Sequence, residues 1–233
     1  MRLHSNSAKG FMVRDILIVV FLVFISCVHG VSVYAKTPAQ SWPKVHLVTH
    51  ADVDVGYLDE LKCMLEAVFT VEIVVHEAHG MNLRPAYQYF RRQYNASILL
   101  EDLRQHRAQN TLSADGYVFY MIEPDIYDDG YRFVFALMNF DTGINVVSLS
   151  RLRGQDDGQT TDRVFRLIAK NIAKFNGHKP SGKCFMGYSN SLNELDKREV
   201  RLCEPDLSAL QAIGLVHPEL KDQTIMRGCL IIS

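Results

Sequence analysis

A chain of 233 residues has room for one large domain or two small ones. At 48% hydrophobic and 22% charged it has the makeup of a packed globular protein, not of a disordered chain. With 25 basic against 26 acidic residues it lacks the positive excess of a nucleic-acid binder, and its five cysteines are too few for a disulfide-framework miniprotein.

The first 35 residues read as a targeting segment. Arg2, Lys9 and Arg14 give a positive start, and Ile16 to Ile25 is an unbroken apolar run, shorter than the roughly 20 residues of a bilayer span. Val33-Tyr34-Ala35 suits cleavage before Lys36. Two alternatives stand beside cleavage. Phe24-Ile25-Ser26-Cys27 is a degenerate lipobox that would lipidate Cys27, and Val31 to Tyr34 extends the run toward an uncleaved anchor. The expected location is therefore exported, periplasmic or secreted, with membrane attachment only through this segment. Export favours disulfides among Cys63, Cys184, Cys203 and Cys229 over free thiols. Cys63 also fits as a small buried apolar residue on a helix.

Residues 36–44 contain two prolines and read as a linker before a domain over 45–233. Residues 45–49 read as a strand. Leu58, Leu61, Leu65 and Val68 recur at helical steps and predict a helix over 57–69. Residues 70–75 are β-branched and read as a strand, and 80–85 as a turn. Helical patterning covers 86–107, with a break near Asn95. Three strands are expected at 117–122, 133–138 and 146–149, separated by Asp128-Asp129-Gly130 and Asp141-Thr142-Gly143. A polar loop at 154–158 precedes a long helix over 162–175. The rest is irregular, with a short helix near 207–213. Interleaved strands and helices of this kind make an α/β domain with a mixed sheet.

His76-Glu77-Ala78-His79 is the first cluster with metal-binding residue types, but a zincin helix places its histidines one helical turn apart with Glu between them. Here the segment ends a strand, where alternation sends His76 and His79 to opposite faces, and a solvated strand end is expected. Asn95-Ala96-Ser97 is a glycosylation sequon, a triplet that also arises by chance.

Residues 164–206 carry more. Gly177-His178 is followed by Cys184-Phe185-Met186, then Tyr188-Ser189-Asn190-Ser191-Leu192, then Cys203. In this order the blocks resemble the archaemetzincin family of metzincin-type zinc metallopeptidases, whose motif is His-Glu-x-x-His-x-x-Gly-x-x-His-Cys. That motif is followed by Cys-x-Met, an aromatic-Ser-Asn-Ser-Leu stretch and a Cys-x-x-Cys pair. Upstream, Arg92 to Ser97, Asp125-Ile126-Tyr127, Phe133-Val134-Phe135 and Val147-Ser148-Leu149 with Arg151-Leu152 resemble further family blocks. The likeness spans about residues 45–206. It implies a metzincin-like single domain: a twisted mixed β-sheet, long helices and a small irregular C-terminal subdomain.

The resemblance places His178 at the third zinc histidine. The first histidine then falls on Ile168, the catalytic Glu on Ala169, the second histidine on Ile172, the motif Gly on Phe175 and the following Cys on Lys179. A catalytic zinc needs three protein ligands, and loss of a general base costs about 10²- to 10⁴-fold in rate. The expectation is a pseudoprotease with no catalytic residues, no cofactor and His178 as a weak metal candidate at most. The four cysteines of the family's second zinc site fall on Lys179, Cys184, Cys203 and Asp206, so a Cys184–Cys203 disulfide is expected in its place. Cys63–Cys229 is a second, less supported pair. Met186 takes the Met-turn position. An extended peptide or protein is the expected partner, and nucleic acid is not. Two rivals remain. One is an active peptidase in which His178 is joined by His217, His50 or the His76/His79 pair, with Glu77 as base. The other is a structural envelope protein whose cleft Ile168, Ile172 and Phe175 close.

Overall fold

In the computed structural model the described residues are 43–51, 53, 56–76, 81–109, 116–182 and 184–221. The targeting segment with Cys27, most of the linker, Glu77, His79 and Cys229 lie outside them. Among the described residues no helix is long and apolar enough to cross a membrane.

Five strands form a mixed sheet: β1 (Lys44–Thr49), β2 (Ile73–His76), β5 (Gly116–Ile122), β7 (Ala136–Asn139) and β8 (Ile144–Ser148), in the spatial order β2-β1-β5-β8-β7. All pairs are parallel except β7 with β8, so β7 is an antiparallel edge strand. Alternation sorts the strands between two cores. Leu47, Phe119, Met121 and Val147 face a core shared with α1 (Leu58–Val68) and α3 (Asp157–Phe175). Val48, Val118, Tyr120 and Val146 face one shared with α2 (Ala96–Gln109). A sheet covered on both faces accounts for strands that read as nearly continuous apolar runs.

The expected helix over 86–107 begins only at Ala96. Residues 87–88 and 93–95 instead form β3 (Tyr87–Gln88) and β4 (Gln93–Asn95), and β4 runs parallel to β6 (Ile126–Tyr127). Arg92 takes a left-handed backbone, φ 54°, which a helix interior does not allow. Asn95 then starts the helix, its Oδ1 accepting the Ile98 amide at 3.1 Å. The sequon asparagine is thus a capping residue whose Nδ2 also donates to Tyr127 Oη. Gln93 Nε2 donates to Asp125 Oδ2 at 2.9 Å, and Arg151 grips the same carboxylate at 2.8 and 2.7 Å. Burial pushes the Asp125 carboxyl up, but the Arg151 and Gln93 hydrogen bonds outweigh it and hold it below its ordinary value.

The strand expected at 133–138 is displaced to Ala136–Asn139, because Val134 bonds to Ile126 and leaves the β8 ladder. The loop expected at 154–158 is partly helix. Asp156 Oδ1 accepts the Gln159 amide at 2.7 Å, and Gln159 Oε1 returns to the Gln155 amide, so α3 starts at Asp157.

After α3 the chain is mostly irregular, with α4 (Leu192–Asp196) and α5 (Asp206–Ala212). Ser191 caps α4 by accepting the Glu194 amide, a helix that the sequence pattern did not suggest. Buried Phe185, Leu195, Leu202, Leu207 and Leu210 tie this segment to the α1–α3 core.

Candidate functional site

Helix α3 is the element that would carry the chemistry. Val164, Ile168 and Ile172 are fully buried, and Phe175 stacks on Tyr117 with ring centroids 4.6 Å apart. Tyr117 Oη donates to the Phe175 carbonyl. Ala169 is also at 0% exposure, in the core that α3 shares with α1. The positions assigned to two zinc ligands and the general base are therefore packing residues.

The helix leads into a turn at Cys184–Met186, in which Phe185 and Met186 are buried and Phe185 meets Phe165 edge to face at 5.5 Å. Met186 thus holds a buried place in a turn beneath α3. Cys184 and Cys203 are disulfide-paired with Cα atoms 5.8 Å apart, as expected. Cys63 is also disulfide-bonded; its expected partner Cys229 lies outside the described residues.

His178 Nε2 is 2.7 Å from Asp206 Oδ1. The Asp206 carboxylate is 1% exposed and also accepts the Ser181 amide at 2.8 Å and the Ser181 hydroxyl at 2.6 Å. This knot takes up both His178 and the Asp206 position of the second zinc site. The other candidate histidines among the described residues are engaged elsewhere. His217 Nε2 lies 3.0 Å from the Glu66 carbonyl oxygen, His50 Nε2 lies 3.2 Å from that of Met81, and His76 Nε2 lies 2.8 Å from His46 Nδ1 across the β1–β2 pair. His76 is thus half-buried against a second imidazole, and the rest of the 76–79 cluster lies outside the described residues. Among the described residues no three His, Cys, Asp or Glu side chains group to hold a metal ion.

A groove of about 570 Å³ lies beside these packed positions. Its walls are the 131–138 segment including edge strand β7, the neighbouring face of α3 through Leu167, Lys170 and Asn171, and the Tyr188–Asn190 loop. Arg198 fixes that loop. Its guanidinium donates to the Tyr188 carbonyl at 2.6 Å, to Ser189 Oγ at 3.0 Å and to the Cys184 carbonyl at 3.2 Å. Gly187 is needed there, since a Cβ would collide with that guanidinium and with the Gly182 carbonyl. At the base of α3, Arg163 forms a two-pronged bond to Asp196 at 2.7 and 2.6 Å, and that bond holds the Asp196 carboxyl below its ordinary value.

Lys170 is the unexpected group. It is 8% exposed, its Nζ makes one long hydrogen bond of 3.5 Å to the Gly187 carbonyl, and it lies 5.9 Å from the Tyr188 ring centroid. Burial first, then the nearby charges of Lys174 and Arg198, push its pKa down to about 8. Sequence reasoning passed over Lys170 because a lysine on an amphipathic helix ordinarily marks the solvent face.

A mixed sheet with an antiparallel edge strand, a long helix beneath it and a Met-bearing turn define a metzincin-type peptidase fold. The sequence model of Peptidase family M54 matches residues 55–212, and the chain belongs to that family. An archaemetzincin from Nanoarchaeum equitans is 33% identical over 124 residues, covering 51% of this chain and 63% of that relative's length. The crystal structure of the Methanopyrus kandleri archaemetzincin superposes with a TM-score of 0.62 at 25% identity, covering 76% of this chain and 98% of that one. A zinc-dependent peptidase from Methanocorpusculum labreanum superposes with a TM-score of 0.58 at 24% identity, covering 71% and 99%.

These matches correct the expectation of no cofactor, because the Methanocorpusculum labreanum protein that shares the fold is a zinc-dependent peptidase. The residues at the matching motif positions do not fit it. Ile168 and Ile172 have no lone pair to give and are sealed in the core, and His178, whose Nε2 is held by Asp206, would be a single ligand where three are needed.

Proposed function

We propose that this chain is an exported member of Peptidase family M54 that binds extended peptides without hydrolysing them. The observation that carries the reading is Ala169, a methyl group in the core where the family places its general base. A hydrolytic water then has no carboxylate at that position to take its proton. Binding is supported by the groove, which follows β7, the unpaired edge of the sheet. In an antiparallel edge strand alternate residues turn their backbone N–H and C=O groups outward, and an extended peptide can add to them as a further strand. Leu137 and the aromatic residues Phe133 and Phe135 line the groove with apolar surface for its side chains. The groove is open although Ile168, Ile172 and Phe175 fill the space beside it, which favours binding over a purely structural role. Export is supported by the N-terminal apolar run and by the disulfide pairing of Cys184 with Cys203.

The test is to incubate the purified protein with a mixture of fluorogenic peptides, with and without added zinc, and to follow cleavage and anisotropy together. Saturable binding without cleavage in either condition is expected. Turnover that appears with zinc and disappears with a chelator would overturn the loss of hydrolysis.

A further inference from the structure

We propose that the groove beside β7 selects peptides bearing a carboxylate, and that Lys170 Nζ receives that carboxylate. This deepens the peptide-binding reading and rests on it.

A buried ammonium has lost most of its hydration, and an excellent set of partners is the usual compensation. Arg163 in the same helix shows the usual arrangement, its fork matched by the two oxygens of Asp196. Lys170 has no such match. It is over nine-tenths buried, and its one acceptor is a carbonyl at 3.5 Å, at the far limit of a hydrogen bond. Burial lowers its pKa, the mark of a cation short of negative neighbours.

The groove around it is positive. Among the described residues its walls carry Lys170, Lys174 and Arg132 against a single carboxylate, Asp128, and Asp128 Oδ1 already accepts the Ser97 hydroxyl at 2.8 Å. Arg198 stands behind the Tyr188 loop and adds to the field at Lys170. A neutral ligand would leave the ammonium desolvated and unpaired, whereas a carboxylate would complete it. The groove's length along an edge strand suits an extended chain, so the carboxylate comes either from an Asp or Glu side chain or from the peptide's own C-terminus.

The experiment uses three extended peptides that differ only in their charge. The first carries a central Glu with both ends blocked. The second has Gln in its place. The third keeps Gln but has a free C-terminal carboxylate. Each is titrated by calorimetry into the wild-type protein, Lys170→Met and Lys170→Gln, with far-UV circular dichroism confirming that each variant is folded. The expected result is that the Glu peptide or the free-terminus peptide binds wild type about 10- to 100-fold tighter than the neutral one. Both variants should erase that preference while still binding the neutral peptide. Whichever charged peptide wins identifies the source of the carboxylate. Equal binding of all three peptides by wild type overturns the role of Lys170 and leaves the groove as a general peptide site. If none of the three binds at millimolar concentration, the peptide-binding reading falls and takes this proposal with it.

Discussion

Replacing Lys170 by Met should stabilise the protein, and by an amount that depends on pH in a defined way. Methionine keeps an unbranched apolar stem at this position and removes the charge. The native pKa of about 8 compares with 10.5 for the free side chain. At about 1.4 kcal/mol per pH unit, keeping the charge in place costs about 3.5 kcal/mol. Water at the mouth of the groove trims this to about 2–3 kcal/mol.

The sign follows from proton counting. Below pH 8 the lysine is charged in both the folded and the unfolded chain, and the full penalty acts. Between about pH 8 and 10.5 the folded protein has released the proton and the unfolded chain still holds it, so wild-type stability gains as pH rises. Above that range both states are neutral and the penalty is gone. The advantage of Lys170→Met should therefore be about 2–3 kcal/mol at pH 7 and shrink toward zero by about pH 11. Urea unfolding under non-reducing conditions at pH 7, 9 and 10.5, comparing the two proteins at each pH, measures it. The other titrating groups are common to both chains and cancel in the difference. An advantage below about 1 kcal/mol at pH 7, or one that stays constant with pH, would refute the picture of an uncompensated buried ammonium.

Two further variants address the segment after α3. Changing Cys184 and Cys203 together to Ser opens a cross-link between residues 19 apart in sequence, and the chain-entropy model sets the loss at about 3 kcal/mol. A denaturant midpoint unchanged between the double variant and wild type would show that the bond constrains nothing in the unfolded chain. Asp206→Ala removes an acceptor that serves His178 and both donors of Ser181, and should cost about 3 kcal/mol. A loss under about 1 kcal/mol would mean that the knot does not hold this segment.

The sheet was legible because each strand carries its own apolar run, and α1 because its leucines recur on one face. The false helix over 86–95 arose because helical spacing persists there by coincidence, while the decisive feature, the left-handed Arg92, is invisible to periodicity. The Cys184–Cys203 pair followed from the family resemblance, since the two cysteines survive from a set of four. Lys170 was missed for a different reason. Periodicity tells which residues share a face, but not that the 188–190 loop folds over one of them. That cover depends on Arg198 gripping three backbone carbonyls and a hydroxyl far along the chain, which no local pattern records.

The burial of Ile168, Ala169 and Ile172 bears on what the family motif would cost at these positions. On an exposed helix face, exchanging three side chains would restore the motif at little cost. Here all three positions are at 0% exposure within the core shared by α1, α3 and the sheet. Two imidazoles and a carboxylate placed there would each lose water without a partner, at about 1–3 kcal/mol or more apiece, and the carboxylate more still. Such a sum is comparable to the whole stability of an ordinary domain, about 5–15 kcal/mol. The open groove, meanwhile, lies against the adjoining face of α3, where Lys170, Asn171 and Lys174 are the polar groups. The face that carries these three positions is thus core, while the neighbouring face of the same helix meets the groove. The Phe175–Tyr117 stack at one end of α3 and the Arg163–Asp196 bond near the other hold the helix with these three positions turned into the core.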